Sequence, residues 1–275
     1  MPTIAYLGPE HTNTHFAALK RFGARARYLH APTVDDVFHD VEWRRADYGV
    51  VPIENSLEGA VAHTLDRFAD FVDSPVTIQG ELEQPIQQYL LLHVGATLSK
   101  IRAVYSHPQA LAQCHQWLRQ HVPHATLRET NSTADAVWYV LHDKSPQFRA
   151  AIGRKELADK KPLRAMPIPS ERENKTRFLV IGLNEPPRGK RNKTSILFAL
   201  KDKPGALHDV LVPFKKQGIS LTKIESRPSK QKAWEYLFFI DVDGHVNDQK
   251  LKTALAALRR STTLLRVLGS YPVTT

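Results

Sequence analysis

Five consecutive residues, Asn174-Lys175-Thr176-Arg177-Phe178, set a hydroxyl, a guanidinium and an aromatic ring side by side where an irregular stretch runs into an apolar strand. In an extended chain successive side chains point to opposite faces, so Thr176 and Phe178 share one side and Arg177 takes the other. A guanidinium grips a carboxylate through two parallel hydrogen bonds. A hydroxyl nearby can hand a proton to a leaving group. The chemistry indicated is capture of an anion and protonation of the group it expels. Threonine, arginine and phenylalanine also end strands for packing reasons alone, so the reading depends on what accompanies them.

Polar clusters recur at other strand ends. Tyr6-Leu7-Gly8-Pro9 precedes Thr12 and Thr14, and Val51-Pro52-Ile53-Glu54-Asn55-Ser56 leads to Gly59. Ser106-His107-Pro108-Gln109 and Asn131-Ser132-Thr133 each open a helical pattern. Taken singly, each is a helix cap. Converging helix starts, however, present free N–H groups and positive dipole ends to an anion.

The elements that must position these groups alternate between strand and helix. Ile4–Leu7, Tyr48–Ile53, Gln88–His93, Ile101–Tyr105, Ala125–Glu129, Ala150–Gly153 and Arg177–Leu183 read as strands. Thr12–Phe22, a stretch from Pro108 to about Gln120, and Ala134–Leu141 read as helices. Proline just inside a helix start makes Ser106 or His107 the cap. In such an α/β pattern, binding groups gather beyond the carboxyl ends of the strands. Pro186-Pro187-Arg188-Gly189 then breaks the alternation and marks a domain boundary. Beyond it, strands at Thr194–Leu200, Leu221–Glu225, Glu235–Val242 and Leu264–Leu268 alternate with helices at Gly205–Gln217 and Asp248–Arg259. That order is βαββαβ, a ferredoxin-like unit.

Composition narrows the function classes. A chain of 275 residues with 42% hydrophobic content supports two domains. The single cysteine, Cys114, excludes an internal disulfide and a cysteine-based zinc site, and reads as a buried filler. His121 and His124 flank Val122-Pro123 without a third ligand, so no metal is expected. The longest apolar runs are too short for a bilayer and no secretory signal is visible, so a soluble cytoplasmic protein without membrane association is expected. The net charge of +10 lies wholly in the last third. Residues 1–187 carry 21 Lys+Arg against 21 Asp+Glu, and residues 188–275 carry 17 against 7. The basic residues are scattered and the one dense run, from Arg188 to Lys193, falls in the linker, so a solvated face is expected rather than a nucleic-acid surface.

Together these motifs resemble prephenate dehydratase along essentially the whole chain. The most specific pieces are Val51–Ser56, Ser106–Gln109 and Asn174–Phe178, with Gly205-Ala206-Leu207 and Ile224-Glu225-Ser226-Arg227-Pro228 in the last third. The resemblance implies an α/β fold: a two-lobed, periplasmic-binding-protein-like (type 2) catalytic domain over residues 1–184, followed by a ferredoxin-like ACT regulatory domain over 194–275. The first lobe would comprise about 1–79 and 161–184, and the second about 80–160. It implies decarboxylating dehydration of prephenate to phenylpyruvate, in phenylalanine biosynthesis, with L-phenylalanine as feedback inhibitor. No cofactor is required, and the chain carries no Walker loop, GxGxxG or HExxH motif.

By the same resemblance Thr176 donates or relays the proton to the departing hydroxyl, with Glu54 the competing donor; Glu54 could equally be a charged brace paired to a basic neighbour. Arg177, Asn55, Ser132 and Thr133 are the groups expected to grip the substrate. Ser56, Thr12, Thr14, His107, Gln109, Asn174 and Phe178 complete the expected site, His107 as a cap or orienting group. Gly205, Ala206 and Leu207 would face Glu225, Ser226 and Arg227 of a second copy with phenylalanine between, which implies a homodimer or homotetramer. The chain departs from the family pattern at Glu10-His11-Thr12-Asn13-Thr14, where His11 replaces a glycine, Asn13 a phenylalanine and Thr14 a serine, and again at Lys160-Lys161-Pro162. No chorismate mutase helix bundle precedes residue 1, so a monofunctional enzyme is expected. The rival readings are an arogenate dehydratase and a non-catalytic amino-acid sensor.

Overall fold

The structure is a computed structural model that describes residues 1–159, 161–170, 173–201, 203–229 and 236–273. Lys160, in the second departure from the family pattern, and Glu235, the expected start of a strand, lie outside the described residues.

The first lobe opens with β1 (Thr3–Leu7), α1 (Asn13–Phe22), β2 (Arg27–Ala31), α2 (Val34–Glu42), β3 (Tyr48–Asn55), the short β4 (Gly59–Ala60), α3 (Ala62–Asp70) and β5 (Thr77–Pro85). Local sequence explains these elements well. In α2 the buried residues Val34, Val37, Phe38 and Val41 fall at i, i+3, i+4 and i+7, one helical stripe. The Thr33 hydroxyl accepts from the Asp36 amide at its start. A second lobe follows with β6 (Tyr89–His93), β7 (Ala103–Ser106), α4 (Pro108–His121), β8 (Thr126–Glu129), α5 (Thr133–His142), β9 (Arg149–Gly153) and β10 (Leu163–Pro167). The chain then returns through β11 (Lys175–Gly182).

The first sheet runs β2-β1-β3-β11-β5 with β4 on β3, and the second β10-β6-β9-β7-β8. Both crossings come later than expected. β5 pairs with β11 through Pro85, so the first crossing follows residue 85 rather than 80. β10 pairs with β6 through Pro167, so the return follows 167 rather than 161. The reason lies in partnering: a strand belongs to the sheet that satisfies its backbone groups, and the partners of β5 lie 90 (Pro85 to Lys175) to 105 (Thr77 to Gly182) residues further along the chain.

The last unit is β12 (Asn192–Leu200), α6 (Ala206–Gln217), β13 (Leu221–Pro228), β14 (Tyr236–Asp243), α7 (Gln249–Ser261) and β15 (Thr262–Pro272), in sheet order β13-β14-β12-β15. One face of this sheet packs on α6 and α7 through Ile196, Phe198, Phe214, Ile240 and Leu258. The other face, with Leu197, Phe239, Leu268 and Tyr271, shares one continuous core with Ile53, Phe68, Ile78 and Leu179 of the first lobe. Contact is close enough to require glycine at 269, where an added Cβ would lie 2.3 Å from the Ile78 carbonyl oxygen. The regulatory sheet is therefore laid directly against the sheet that bears Asn55 and Thr176.

Candidate active site

A cleft of about 600 Å³ separates the two lobes. The first lobe contributes the end of β1, Pro52 and Asn55 of β3, and Thr176 and Phe178 of β11; the second contributes the starts of α4 and α5. Adjacent rungs of the β3–β11 ladder pair Thr176 with Asn55 and Arg177 with Glu54. Thr176 and Asn55 face the cleft, and Arg177 and Glu54 face the other way.

On the cleft side a chain of amides fixes every orientation. Gln113 of α4 donates to Glu58 at 2.7 Å, which leaves its oxygen to accept from Asn174 at 3.0 Å. Asn174 in turn accepts from the Asn55 amide at 2.8 Å, and the second proton of that amide goes to the Thr176 oxygen at 2.9 Å. The Asn55 oxygen accepts from the Leu57 backbone amide. With its oxygen taken by a donor, the Thr176 hydroxyl has its own proton to give. Gln113 was not foreseen. It lies four residues after Gln109 on α4, so the i, i+4 spacing on one helix face was the available signal. His63 and Gln88 also line the cleft without having been singled out.

Helix starts make up most of the remaining wall. Thr12 caps α1 by accepting from the His15 amide, His107 caps α4 by accepting from the Gln109 amide, and Ser132 caps α5 by accepting from the Asp135 amide. The amides of Asn13, Thr14, Thr133 and Ala134 have no carbonyl to bond within their helices, as first-turn positions require. His11 adopts φ 65°, the left-handed region that glycine enters freely. The backbone shape at this departure is therefore the one a glycine would take. Among the described residues no Lys, Arg, Asp or Glu lines the cleft.

The structure places Arg177 and Glu54, both expected at the substrate, away from the cleft lining. Arg177 donates to Glu54 at 2.6 Å, to Glu81 at 3.0 Å and to Asp241 at 2.8 Å. Burial works against its charge, but Asp241 and Glu81 outweigh that and hold the guanidinium above its ordinary pKa. Burial would likewise raise Glu54, yet hydrogen bonds from Lys223 and Arg177 bring its carboxyl below the ordinary value. A carboxylate held ionised has no proton to donate, and the pairs with Arg177 and Lys223 match the alternative of a charged brace for Glu54. Ser56 is also displaced from the expected site. Its hydroxyl donates to the Glu173 carbonyl at 3.0 Å and accepts from the Lys175 amide at 2.9 Å, tying the turn after β3 to β11 outside the cleft.

The expected effector residues divide between two faces of β13. The partners Lys223↔Asp241, Glu225↔Phe239 and Arg227↔Leu237 put Glu225 and Arg227 on the side of the first lobe, and Ser226 on the other. Arg227 donates to Asp66 of α3 at 2.8 Å, so its guanidinium is already engaged within the same chain. Gly205, with φ 77°, precedes Ala206 and Leu207 at the start of α6. Among the described residues no cluster suited to a metal ion is present, and no helix is long and apolar enough to cross a membrane.

The family model for prephenate dehydratase matches residues 4–186, and the model for the ACT domain matches residues 194–260. The chain belongs to the prephenate dehydratase family. It is 46% identical over 272 residues to a bifunctional chorismate mutase/prephenate dehydratase of Aquifex aeolicus, covering 98% of this chain and 73% of that protein. It is 42% identical over 246 residues to the prephenate dehydratase of Methanocaldococcus jannaschii, covering 88% and 86%. The solved prephenate dehydratase of Arthrobacter aurescens in complex with L-Phe superposes with a TM-score of 0.87 at 35% identity, covering 98% of this chain and 89% of that one. Membership of this family makes the chain a lyase, with an ACT domain behind its catalytic lobes.

Proposed function

We propose that this chain converts prephenate to phenylpyruvate, carbon dioxide and water, with Thr176 protonating the departing hydroxyl. The observation that carries the reading is the Asn55-to-Thr176 hydrogen bond, which commits the threonine oxygen as acceptor and leaves its proton for the cleft. As the bond from the ring to its carboxylate breaks, the electron pair completes the aromatic ring and expels the 4-hydroxyl, which leaves as water after taking one proton. The threonine regains that proton from solvent. A threonine hydroxyl is a weak acid alone; fixed donors around it lower the cost of the charge that develops in the transition state. The first-turn amides of α1 and α5 receive the substrate's carboxylates.

Two further features bear on substrate and assembly. Among the described residues neither Asp nor Glu lines the cleft to meet the α-ammonium of arogenate, which favours the keto substrate. β13 pairs only with β14 among the described residues, so its outer edge, beside the exposed Ile224, is open to a second copy. L-Phenylalanine acts as the effector at the ACT domain, and the enzyme works in the cytoplasm as a homo-oligomer.

The test is phenylpyruvate formation from prephenate with and without L-phenylalanine, with arogenate as control. Turnover of prephenate that L-phenylalanine suppresses is expected. No turnover of either substrate by folded protein would move the reading to a sensor, and turnover of arogenate alone would change the substrate.

A further inference from the structure

Behind the cleft lies a cluster of charges that the catalytic reading leaves without a role. Arg177 is at its centre, bonded to Glu54, Glu81 and Asp241. Lys223 donates to the same Glu54 oxygen at 2.7 Å, and Lys193 pairs with Glu81. The Asp241 carboxylate also accepts from Ser195 at 2.6 Å, and Ser195 contacts the buried Tyr271 hydroxyl at 2.9 Å. Among the described residues three cations, Arg177, Lys193 and Lys223, face three anions, Glu54, Glu81 and Asp241. Five of the six side chains are about 10% exposed, and only Glu54, at 38%, is more open.

Two features of placement matter. Lys193, Lys223 and Asp241 come from β12, β13 and β14, three of the four regulatory strands, whereas Glu54, Glu81 and Arg177 come from β3, β5 and β11. Glu54 and Arg177 also occupy the rung next to Asn55 and Thr176. A rung moved on one face moves its neighbour on the other, because consecutive Cα atoms are fixed about 3.8 Å apart.

We propose that Arg177 and Glu54 are positioning residues through which the regulatory sheet sets the strand pair carrying Thr176 and Asn55. Lys223 makes that setting responsive to β13. It lies two residues before Glu225 on the same strand and face, so a shift of β13 reaches Glu54 through one hydrogen bond. From there it passes along the backbone to Asn55 and through the Asn55 amide to the Thr176 oxygen. A misplacement near 1 Å at the reacting groups costs on the order of 10²-fold in rate, so a small displacement of the sheet is enough to regulate. This inference rests on the assignment of Thr176 made above.

The test removes one cation and one anion together. In Glu54→Gln/Lys223→Met one cation and one anion go together, and among the described residues Arg177 and Lys193 remain paired with Glu81 and Asp241. Measured with prephenate, the pair variant is expected to lose about fivefold or more in kcat with KM within about twofold, since the loss falls on geometry at the reacting groups. Calorimetry is expected to show L-phenylalanine binding within about threefold of wild type, while its suppression of turnover shrinks about fivefold or more. A folded pair variant with wild-type kcat and wild-type suppression overturns the proposal, because simple cohesion between the sheets would leave both unchanged.

If the wild type converts no prephenate, the catalytic reading falls, and positioning is read from calorimetry with phenylpyruvate and L-phenylalanine instead. Linked binding of the two ligands in the wild type that is lost in the pair variant then supports the role of the cluster. Equal linkage in both proteins, or none in either, overturns it.

Discussion

The two faces of the β3–β11 ladder solve opposite problems with adjacent residues. The cleft face carries Asn55 and Thr176 in a relay of amides that runs through Gln113 to the Glu58 carboxylate, and among the described residues no Lys, Arg, Asp or Glu lines the cleft. The regulatory face carries Glu54 and Arg177 in a compact set of six charges. A preset arginine in the cleft would bind substrate and product anions alike, and uniform binding does not accelerate the chemical step. Oriented amides and a hydroxyl can respond to charge as it develops. On the other face a compensated ion cluster links the two sheets.

The sharpest way to break this contrast is Thr176→Ala, which should lower kcat by about 10²- to 10³-fold with KM nearly unchanged. Steady-state rates of phenylpyruvate formation read it directly. If turnover instead survived in Thr176→Ala and vanished in Glu54→Gln, the two faces would have to exchange roles. Asn55→Ala should come next, at about 10- to 100-fold in kcat, since it frees the Thr176 oxygen and breaks the relay without removing the proton donor.

On the regulatory face the expected effect is on stability. Asp241→Asn leaves the cations of the cluster in excess and should cost about 3 kcal/mol, read from denaturant unfolding. The pH dependence is smaller. Because the Glu54 carboxyl is held below its ordinary value of 4.5, its contribution is complete above that pH and is lost as pH falls through the lowered folded value. Glu54→Gln/Lys223→Met should therefore show a shallower loss of stability below pH 4.5 than the wild type, with the difference muted by the partial exposure of Glu54. The smallest effect belongs to Ser56→Ala. Its hydroxyl serves a turn outside the cleft, so KM should move by less than about twofold while stability falls by about 1 kcal/mol.

Much of this was legible in the sequence. Hydrophobic spacing and cap residues located α1, α4 and α5 to within a residue or two, because a helix is determined by neighbours along the chain. The βαββαβ order of the last unit could be read for the same reason. The alternation that put Thr176 and Phe178 on one side and Arg177 on the other is a property of any extended backbone. Short or polar elements left a weaker trace. β10 reads Leu-Arg-Ala-Met-Pro, and β5 interleaves Gln and Glu with its apolar residues, so neither shows a clean strand pattern; the lobe crossings that the resemblance implies fall several residues before those in the structure.

The sequence by itself determined the residue types, the local elements and which residues share a face. Tertiary structure alone decided what each face meets. Arg177 is a plausible carboxylate clamp until the regulatory sheet brings Asp241 against it, and Glu54 is a plausible acid until Lys223, 169 residues away in sequence, holds it ionised. A side chain's direction follows from its own backbone, whereas its charge state and freedom to bind follow from partners that only the folded chain brings within hydrogen-bonding distance.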